Sequence, residues 1–475
     1  MNQDSQGNYM TTIKHVSYSK WPLAIYLAAM LNIWMPAAEN PLFTNIYTAD
    51  PAPHGNFGDG RLYVYADHDT DFSGYSAMYD YHVFSTTNLT DWIDHGSILN
   101  VDDFKWTRGG PGAAWDGDCQ KGPDGKYYYY APIYGVNKIG VAVSDSPTGP
   151  FVDALGYPLI SRETPGIKQQ FDLVTANVFF YKGDPYLLFG QDIFYVVKLK
   201  QNMIELADAA VTQIVKPEKP YFWEGPWIDY HNDVFTMTCV VKNQENGSPV
   251  AGTIDYATST SPYGPYVYKG VVMQRKGLNE QMGIAHFNDK HYFFYHIDGP
   301  RGGDTRYTCV EEFKYLANGD MPRIEQTKGV GGVCTLKHDA FGRFKADDYT
   351  SSSSDIKQNR ANLDGSSMCY VESRKNKSWI SFYNFDFGAG AASFEIEVAS
   401  AGKGGMIELR IDSPDGQIIG STAVSITGGE KARWEKQTGP ITNASGVHDL
   451  YMVFNGEEKL DLRVAHFWFK RKGTK

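Results

Sequence analysis

The sequence predicts an all-β chain in two parts, a five-bladed β-propeller followed by a β-sandwich of jelly-roll type. Three observations predict it. First, five short aromatic runs recur, Tyr63-Val-Tyr, Tyr127-Tyr-Tyr-Tyr, Tyr186-Leu-Leu-Phe, Phe235-Thr-Met and Tyr292-Phe-Phe-Tyr, with starts 64, 59, 49 and 57 positions apart. A repeat of that size built of short strands has the dimensions of a propeller blade. Second, each run follows a polar turn, in order Gly-Asp-Gly, Asp-Gly-Lys, Lys-Gly-Asp, His-Asn-Asp and Asn-Asp-Lys. Third, beyond residue 368 strands of five to eight alternating residues follow one another between turn signals, the pattern of a sandwich.

Taken in order, the chain opens with Lys14 and Lys20 ahead of an apolar stretch from Trp21 to Met35, then Ala37 and Ala38 before Glu39. Charged, apolar and small residues in that order read as a secretory signal over residues 1–38. The mature protein then begins near Glu39 or Asn40 and is secreted or periplasmic. Residues 39–335 hold the five repeats. Val330-Gly-Gly-Val opens a linker-like passage, and the serine run from Ser351 to Ser354 lies in a polar stretch reaching about Met368. Residues 341–475 make the sandwich, with strands such as Trp379-Ile-Ser-Phe-Tyr-Asn-Phe-Asp-Phe and Val464-Ala-His-Phe-Trp-Phe.

With 475 residues the chain exceeds what one core usually serves, roughly 250 to 300 residues. A formal charge of −11 and the lack of a basic cluster argue against nucleic acid or anionic membrane as partners. The five cysteines, Cys119, Cys239, Cys309, Cys334 and Cys369, form no C-x-x-C pair, so thiolate metal binding is disfavoured and disulfides are not required. Gly-rich phosphate loops, G-x-S-x-G elbows and H-E-x-x-H helices are absent from the sequence.

Acidic and polar residues hold matching places ahead of the aromatic runs. Eleven back from Tyr127, Tyr186, Phe235 and Tyr292 stand Asp116, Thr175, Glu224 and Gln281, and thirteen back from Tyr63, where the turn is longer, stands Asp50. Equivalent places in a propeller converge on one axis, so carboxylates from several blades meet in one pocket. Two carboxyls facing a pocket, one kept neutral by burial and one ionised in a polar setting, are the minimum needed to break an acetal. Asp50, in Tyr47-Thr-Ala-Asp-Pro-Ala-Pro, and Glu224, between Trp223 and Trp227, are the candidates. Taken singly, Asp50 also reads as a turn cap and Glu224 as a strand-end residue.

At these residues a family resemblance becomes visible. Asn40-Pro-Leu-Phe with Tyr47-Thr-Ala-Asp-Pro-Ala-Pro, Asp91-Trp-Ile-Asp-His-Gly-Ser, Ile139-Gly-Val-Ala-Val-Ser-Asp-Ser-Pro-Thr-Gly-Pro-Phe and Glu224-Gly-Pro-Trp-Ile resemble glycoside hydrolase family 43, in its β-xylosidase and α-L-arabinofuranosidase branch. The resemblance implies an inverting mechanism, with Asp50 as the base that activates water and Glu224 as the acid that protonates the leaving oxygen. Inversion implies carboxyls roughly 6.5 to 9.5 Å apart. The family's third acid, which tunes the general acid, falls on Thr175 by one alignment and on Asp172 by another, with Asp172 expected as the substitute. Gln281 takes the place of an axial His that stands near a calcium or water cluster, with His286 displaced from it. No organic cofactor is implied, and a structural calcium is the one ion in question. Asp116 and Asp118, in Ala114-Trp-Asp-Gly-Asp-Cys, are read either as a sugar subsite or as a tight turn. Trp115 and Trp223 are read as sugar platforms or as core, and loops such as 67–81 as pocket walls.

The C-terminal strings Ala346-Asp-Asp-Tyr-Thr-Ser-Ser-Ser, Leu409-Arg-Ile-Asp-Ser-Pro-Asp-Gly and Gly446-Val-His-Asp-Leu-Tyr-Met-Val-Phe resemble carbohydrate-binding module family 6. That likeness implies a sugar clamped by Tyr370 and Trp434 beside the Asn455 amide. Together the two resemblances imply an exo-acting glycosidase that removes terminal xylose or arabinose from plant-wall polysaccharide such as xylan or arabinoxylan, or from its oligomers. A degenerate carbohydrate-binding protein and a galactan-directed glycosidase are the alternatives.

Overall fold

The computed structural model describes residues 40–44, 46–70, 78–107, 112–168, 172–218, 220–242, 252–275, 281–299, 302–326, 334–363, 366–428, 433–457 and 460–473. The 1–38 signal reading, the Val330-Gly-Gly-Val turn and residues 71–77 of the 67–81 loop lie outside them. The described chain is all-β, its helical content confined to single 3₁₀ turns, and no helix among the described residues is long and apolar enough to cross a membrane.

Consecutive antiparallel sheets occupy residues 48–313 in a propeller-like arrangement. The first runs Thr48–His54, Leu62–His68, Asp80–Thr86 and Asp91–Asn100. In the second, Ala113–Ala114 and Asp118–Lys121 both pair with Tyr127–Tyr134, followed by Lys138–Ser144 and Val152–Asp153. The third begins with Asn177–Tyr181 and Asp184–Phe189, the fourth with Phe222–His231 and Val234–Val241, and the fifth with Met282–Phe287 and Lys290–Gly299. The opening strands of successive sheets adjoin, and Thr48–His54 touches Met282–Phe287, so the series closes on itself.

The aromatic runs are the second strands of these sheets, and their rings pack between neighbouring sheets, as Tyr65 does with Tyr129 (5.7 Å) and Phe179 with Phe235 (6.2 Å). The polar turns are the hairpins ahead of them. Lys182-Gly183, Asn232-Asp233 and Asn288-Asp289 all have positive φ at both positions, the two-residue turn whose twist matches that of the flanking strands. These equal turns keep the spacing between axial residue and aromatic run constant.

Four of the sheets stand as separate units, whereas the first is continuous with the C-terminal domain. The strand Thr335–Lys345 pairs in parallel with Asp91–Asn100, in the register Leu336↔Trp92 and His338↔Asp94, and again in parallel with Ser378–Asp386. Its far end pairs with Leu462–Arg471. The passage expected as linker is therefore a shared strand. Its alternation, Thr-Leu-Lys-His-Asp-Ala-Phe, is too polar to announce itself, but its backbone groups complete two sheets at once. Part of the polar stretch beyond it is also strand, Lys357–Leu363 on Ser366–Ser373. Around this strand two sheets enclose a core of Phe344, Phe385, Phe394, Phe454 and Phe467. Cys119, Cys239 and Cys369 are buried free thiols.

Candidate active site

The opening strands of the first four sheets each carry a backbone irregularity at the same end. Between Ala49↔Asp67 and Ala52↔Tyr65 the register shifts, and Asp50 sits in that bulge with φ 52°. Asp116, in the gap between two short strands, has φ 47°, and Thr175, just before Asn177–Tyr181, has φ 57°. Register shifts flank Glu224, and the next residue, Gly225, has φ 64°. A Cβ on Gly225 would stand 3.1 Å from Gln281 Cγ, so glycine serves both the turn and the close approach. Bulges re-aim side chains, and left-handed backbone at non-glycine residues is strain that the surrounding fold must hold. Here the strain turns four polar side chains toward one axis.

These side chains meet. Thr175 Oγ1 donates to Asp116 Oδ2 at 2.8 Å, and Gln281 Nε2 donates to the same oxygen at 2.9 Å. Oxygens of Asp50, Asp67 and Asp116 lie within 4.8 Å of one another. The Asp116 backbone N–H donates to Asp67 Oδ2 at 2.6 Å. Asp50, Asp116, Thr175, Glu224 and Gln281 are each between 6% and 8% exposed, nearly buried but not sealed from solvent.

One guanidinium answers this negative charge. Arg306 donates from Nη1 to Asp50 Oδ2 at 3.0 Å and grips Asp69 with Nε and Nη2 at 3.0 and 2.9 Å. His296 Nδ1 accepts from the Asp50 N–H at 3.0 Å, so that nitrogen carries no proton for the carboxylate. Three carboxyls this close cannot all ionise. Burial pushes Asp50 well above the usual carboxylate range, against Arg306, and the charges of Asp116 and Asp67 push it further. Asp67 is raised by burial and by Asp116. Glu224 is also raised, by burial and then by Asp116, although Gln191 Nε2 donates to its Oε2 at 2.8 Å. Among the described residues no hydrogen bond joins Asp50 and Glu224, and Asp116 stands as the charge both of them feel.

An axial calcium needs six to eight oxygens free to turn toward it. Around Asp50, Asp67 and Asp116 one oxygen of each carboxylate is met by Arg306, a backbone N–H, or Thr175 and Gln281, while Asp50 Oδ1 and Asp67 Oδ1 have no hydrogen-bond partner among the described residues, so these three residues offer a cation few oxygens from the protein but do not exclude one.

Other expected residues fall elsewhere. Asp118 is fully buried, and its carboxylate takes His54 Nε2 at 2.6 Å and the Val178 N–H at 2.6 Å. It ties the first three sheets and lines no subsite. Asp172 precedes the third sheet's first strand, and its partly exposed carboxylate lies 4.0 Å from Arg162. Thr175, not Asp172, occupies the axial place, because the left-handed turn falls at residue 175. Trp115 stacks flat on Tyr134 at 3.9 Å as part of a wall. Trp223 is partly exposed, with Lys242 Nζ 3.0 Å over its ring. In the C-terminal domain Tyr370 and Trp434 are neighbours, but edge to face at 5.3 Å, which leaves no room for a sugar between them. Tyr370 is buried, Trp434 half-buried, and Asn455 ends the strand Val447–Asn455. The eleven-residue count missed Asp67, Asp69, Arg306 and Gln191. The signal available for Asp67 was a charge directly after the apolar run Leu62-Tyr-Val-Tyr-Ala; Arg306 carried none.

Residues 39–321 match the family model Glycosyl hydrolases family 43, and residues 345–471 match Carbohydrate binding module (family 6). An arabinoxylan arabinofuranohydrolase of Bacillus subtilis (strain 168) is 27% identical over 90% of this chain and 92% of its own. A xylosidase/arabinosidase of Bacteroides ovatus is 30% identical over 61% of this chain and 99% of its own. A crystal structure of a family 43 arabinoxylan arabinofuranohydrolase from Bacillus subtilis, in complex with cellotetraose, superposes with TM-score 0.53 at 25% identity, covering 91% of this chain and 97% of that one.

Proposed function

The chain belongs to glycoside hydrolase family 43 and carries a family 6 carbohydrate-binding module after its catalytic domain; from that premise we propose an exported, exo-acting, inverting glycosidase that removes terminal xylose or arabinofuranose from arabinoxylan or its oligomers. In this reading the first sheet is the first of five blades. Asp50, raised by burial but supported in its ionised form by Arg306, acts in that form to take a proton from water as that water attacks the anomeric carbon. Glu224, protonated, gives its proton to the glycosidic oxygen as the bond breaks, and the product anomer is inverted. No organic cofactor takes part.

Asp116 is proposed as the third acid. Its charge adds to the burial that holds Glu224 up, the task that a carboxylate at the position of Thr175 would perform. The two departures from the family pattern, Thr175 and Gln281, both donate to this one carboxylate, so they belong to a single relocated arrangement. The observation that carries the proposal is that Asp50 and Glu224, at bulges of different sheets, both feel Asp116 without bonding each other. The pentose choice rests on the relatives, which are named for arabinoxylan, xylosidase and arabinosidase activities.

Incubation with aryl β-xyloside, α-arabinofuranoside and β-galactoside tests it. Release from a pentoside, lost in Glu224→Gln, is expected. Release from the galactoside alone would overturn the pentose assignment, and no turnover on any would favour a carbohydrate-binding role.

A further inference from the structure

At the other end of the opening strands three histidines converge. His231 closes Phe222–His231, and His286 and His291 are register partners across the hairpin of the fifth sheet. One nitrogen of each lies within 4.8 Å of the other two. The ring centroids are 4.7 to 5.3 Å apart. All three are half-buried, so the cluster is open to solvent.

Neighbours fix the rings. His231 stacks on Tyr315 at 5.2 Å, and His291 meets Tyr315 and Phe313 at 5.1 and 5.6 Å. Asp229 holds His286 Nε2 at 2.7 Å and takes the Tyr315 hydroxyl on its other oxygen at 2.8 Å. A carboxylate on one imidazole nitrogen sets the tautomer that presents a lone pair on the other, the usual support behind a metal-bound histidine. With Nε2 so engaged, Nδ1 is the nitrogen His286 has to offer. A cavity of about 200 Å³, lined in part by Asp229 and His286, opens beside the cluster.

We infer that His231, His286 and His291 form a site for a divalent transition-metal ion of the Zn²⁺ type, with Asp229 as the positioning carboxylate. Three imidazoles suit Zn²⁺, Cu²⁺ or Ni²⁺ and not the oxygen-seeking Ca²⁺ or Mg²⁺. Bonds of about 2.0 to 2.1 Å in a tetrahedral complex put nitrogens about 3.3 Å apart, so side-chain rotations closing at most about 1.5 Å complete the site. His231 lies seven residues beyond Glu224, or roughly 23 Å along an extended strand. The ion therefore clips the fourth sheet to the fifth, remote from the hydrolytic pair, and the inference does not rest on the glycosidase reading.

Titrating Zn²⁺ into the full chain, prepared without a polyhistidine tag and in competition with a chromophoric chelator, tests this. One equivalent is expected to bind and to raise the melting temperature. His231→Ala and His291→Ala should each weaken binding at least tenfold, and Asp229→Asn about 10- to 100-fold. Absence of binding, or equal binding by wild type and both histidine variants, overturns the site. Should a variant lose its fold in EDTA, Cu²⁺ electron paramagnetic resonance on the wild type decides: hyperfine structure from three nitrogens supports the site, and one nitrogen or none contradicts it.

Discussion

Two buried clusters of charge both draw on residues of the first sheet, and they are opposites. At the axis Arg306 faces Asp50 and Asp67, and Asp50, Asp67 and Glu224 are pushed up first by burial and then by the charge of Asp116, which the nearby cations do not outweigh. At the seam with the C-terminal domain the signs alternate. Lys345 Nζ lies 2.9 Å from Asp80, His68 lies 3.2 Å from Asp80 and 3.3 Å from Asp348, and His338 lies 2.9 Å from Asp94. There Asp80 is pulled well below the usual range, burial being outweighed by Lys345 and His68, and Asp94 is lowered by His338 and His82. Burial is equal in the two places; the balance of charge is not. A balanced cluster holds domains together, and an unbalanced one keeps protons available for chemistry.

The contrast breaks most readily at the axis. Glu224→Gln should cost about 10² to 10⁴-fold in kcat on substrates with poor leaving groups, with circular dichroism unchanged. Its counterpart at the seam, Asp80→Asn, strands Lys345 and His68 and should cost about 3 to 5 kcal/mol of stability by denaturant unfolding. Hydrolysis of a small aryl pentoside by the surviving folded protein should change little. A large loss of kcat without a loss of stability would dissolve the distinction.

The pH dependence of stability sharpens it. Burial disfavours the His68 imidazolium, yet Asp348 and Asp80 outweigh burial and push it up to about 10 from an ordinary 6.5. A raised histidine stabilises the fold fully below pH 6.5, and that contribution drains away as pH climbs from 6.5 through about 10. The melting temperature should fall by about 5 °C across that window, and His68→Gln should flatten the fall. Smaller still, Trp434→Ala should weaken binding to arabinoxylan by about tenfold while leaving aryl pentoside turnover intact, an aromatic platform contributing on the order of 1 kcal/mol.

The sequence made the axis legible and the seam opaque, for physical reasons. Two-residue hairpins hold a constant phase between axial residue and aromatic run in the last three sheets, so counting back from Tyr186, Phe235 and Tyr292 finds side chains that converge, and the same count from Tyr127, across a longer loop, finds Asp116 beside them. Nothing periodic marks Arg306, which arrives from the third strand of the fifth sheet to meet Asp50. Asp118 looked like a partner of Asp116, two positions away, but strand alternation past the irregularity sends it into the body of the protein toward His54. Asp172 won one alignment by its neighbour Phe171, although the left-handed residue that aims at the axis is Thr175. The shared strand Thr335–Lys345 was hidden because its partners lie far off in sequence, at Asp91–Asn100 and Leu462–Arg471.

The most direct test of the central claim is the pH–rate profile of Asp116→Asn beside wild type, on whichever pentoside is turned over. Activity needs Asp50 ionised and Glu224 protonated, so the acid limb follows Asp50 and the alkaline limb follows Glu224. Removing the Asp116 charge should move both limbs to lower pH by about one unit, the scale of a close like-charge interaction. A profile that falls in height with both limbs in place would contradict the assignment of Asp116 as the charge that poises the pair.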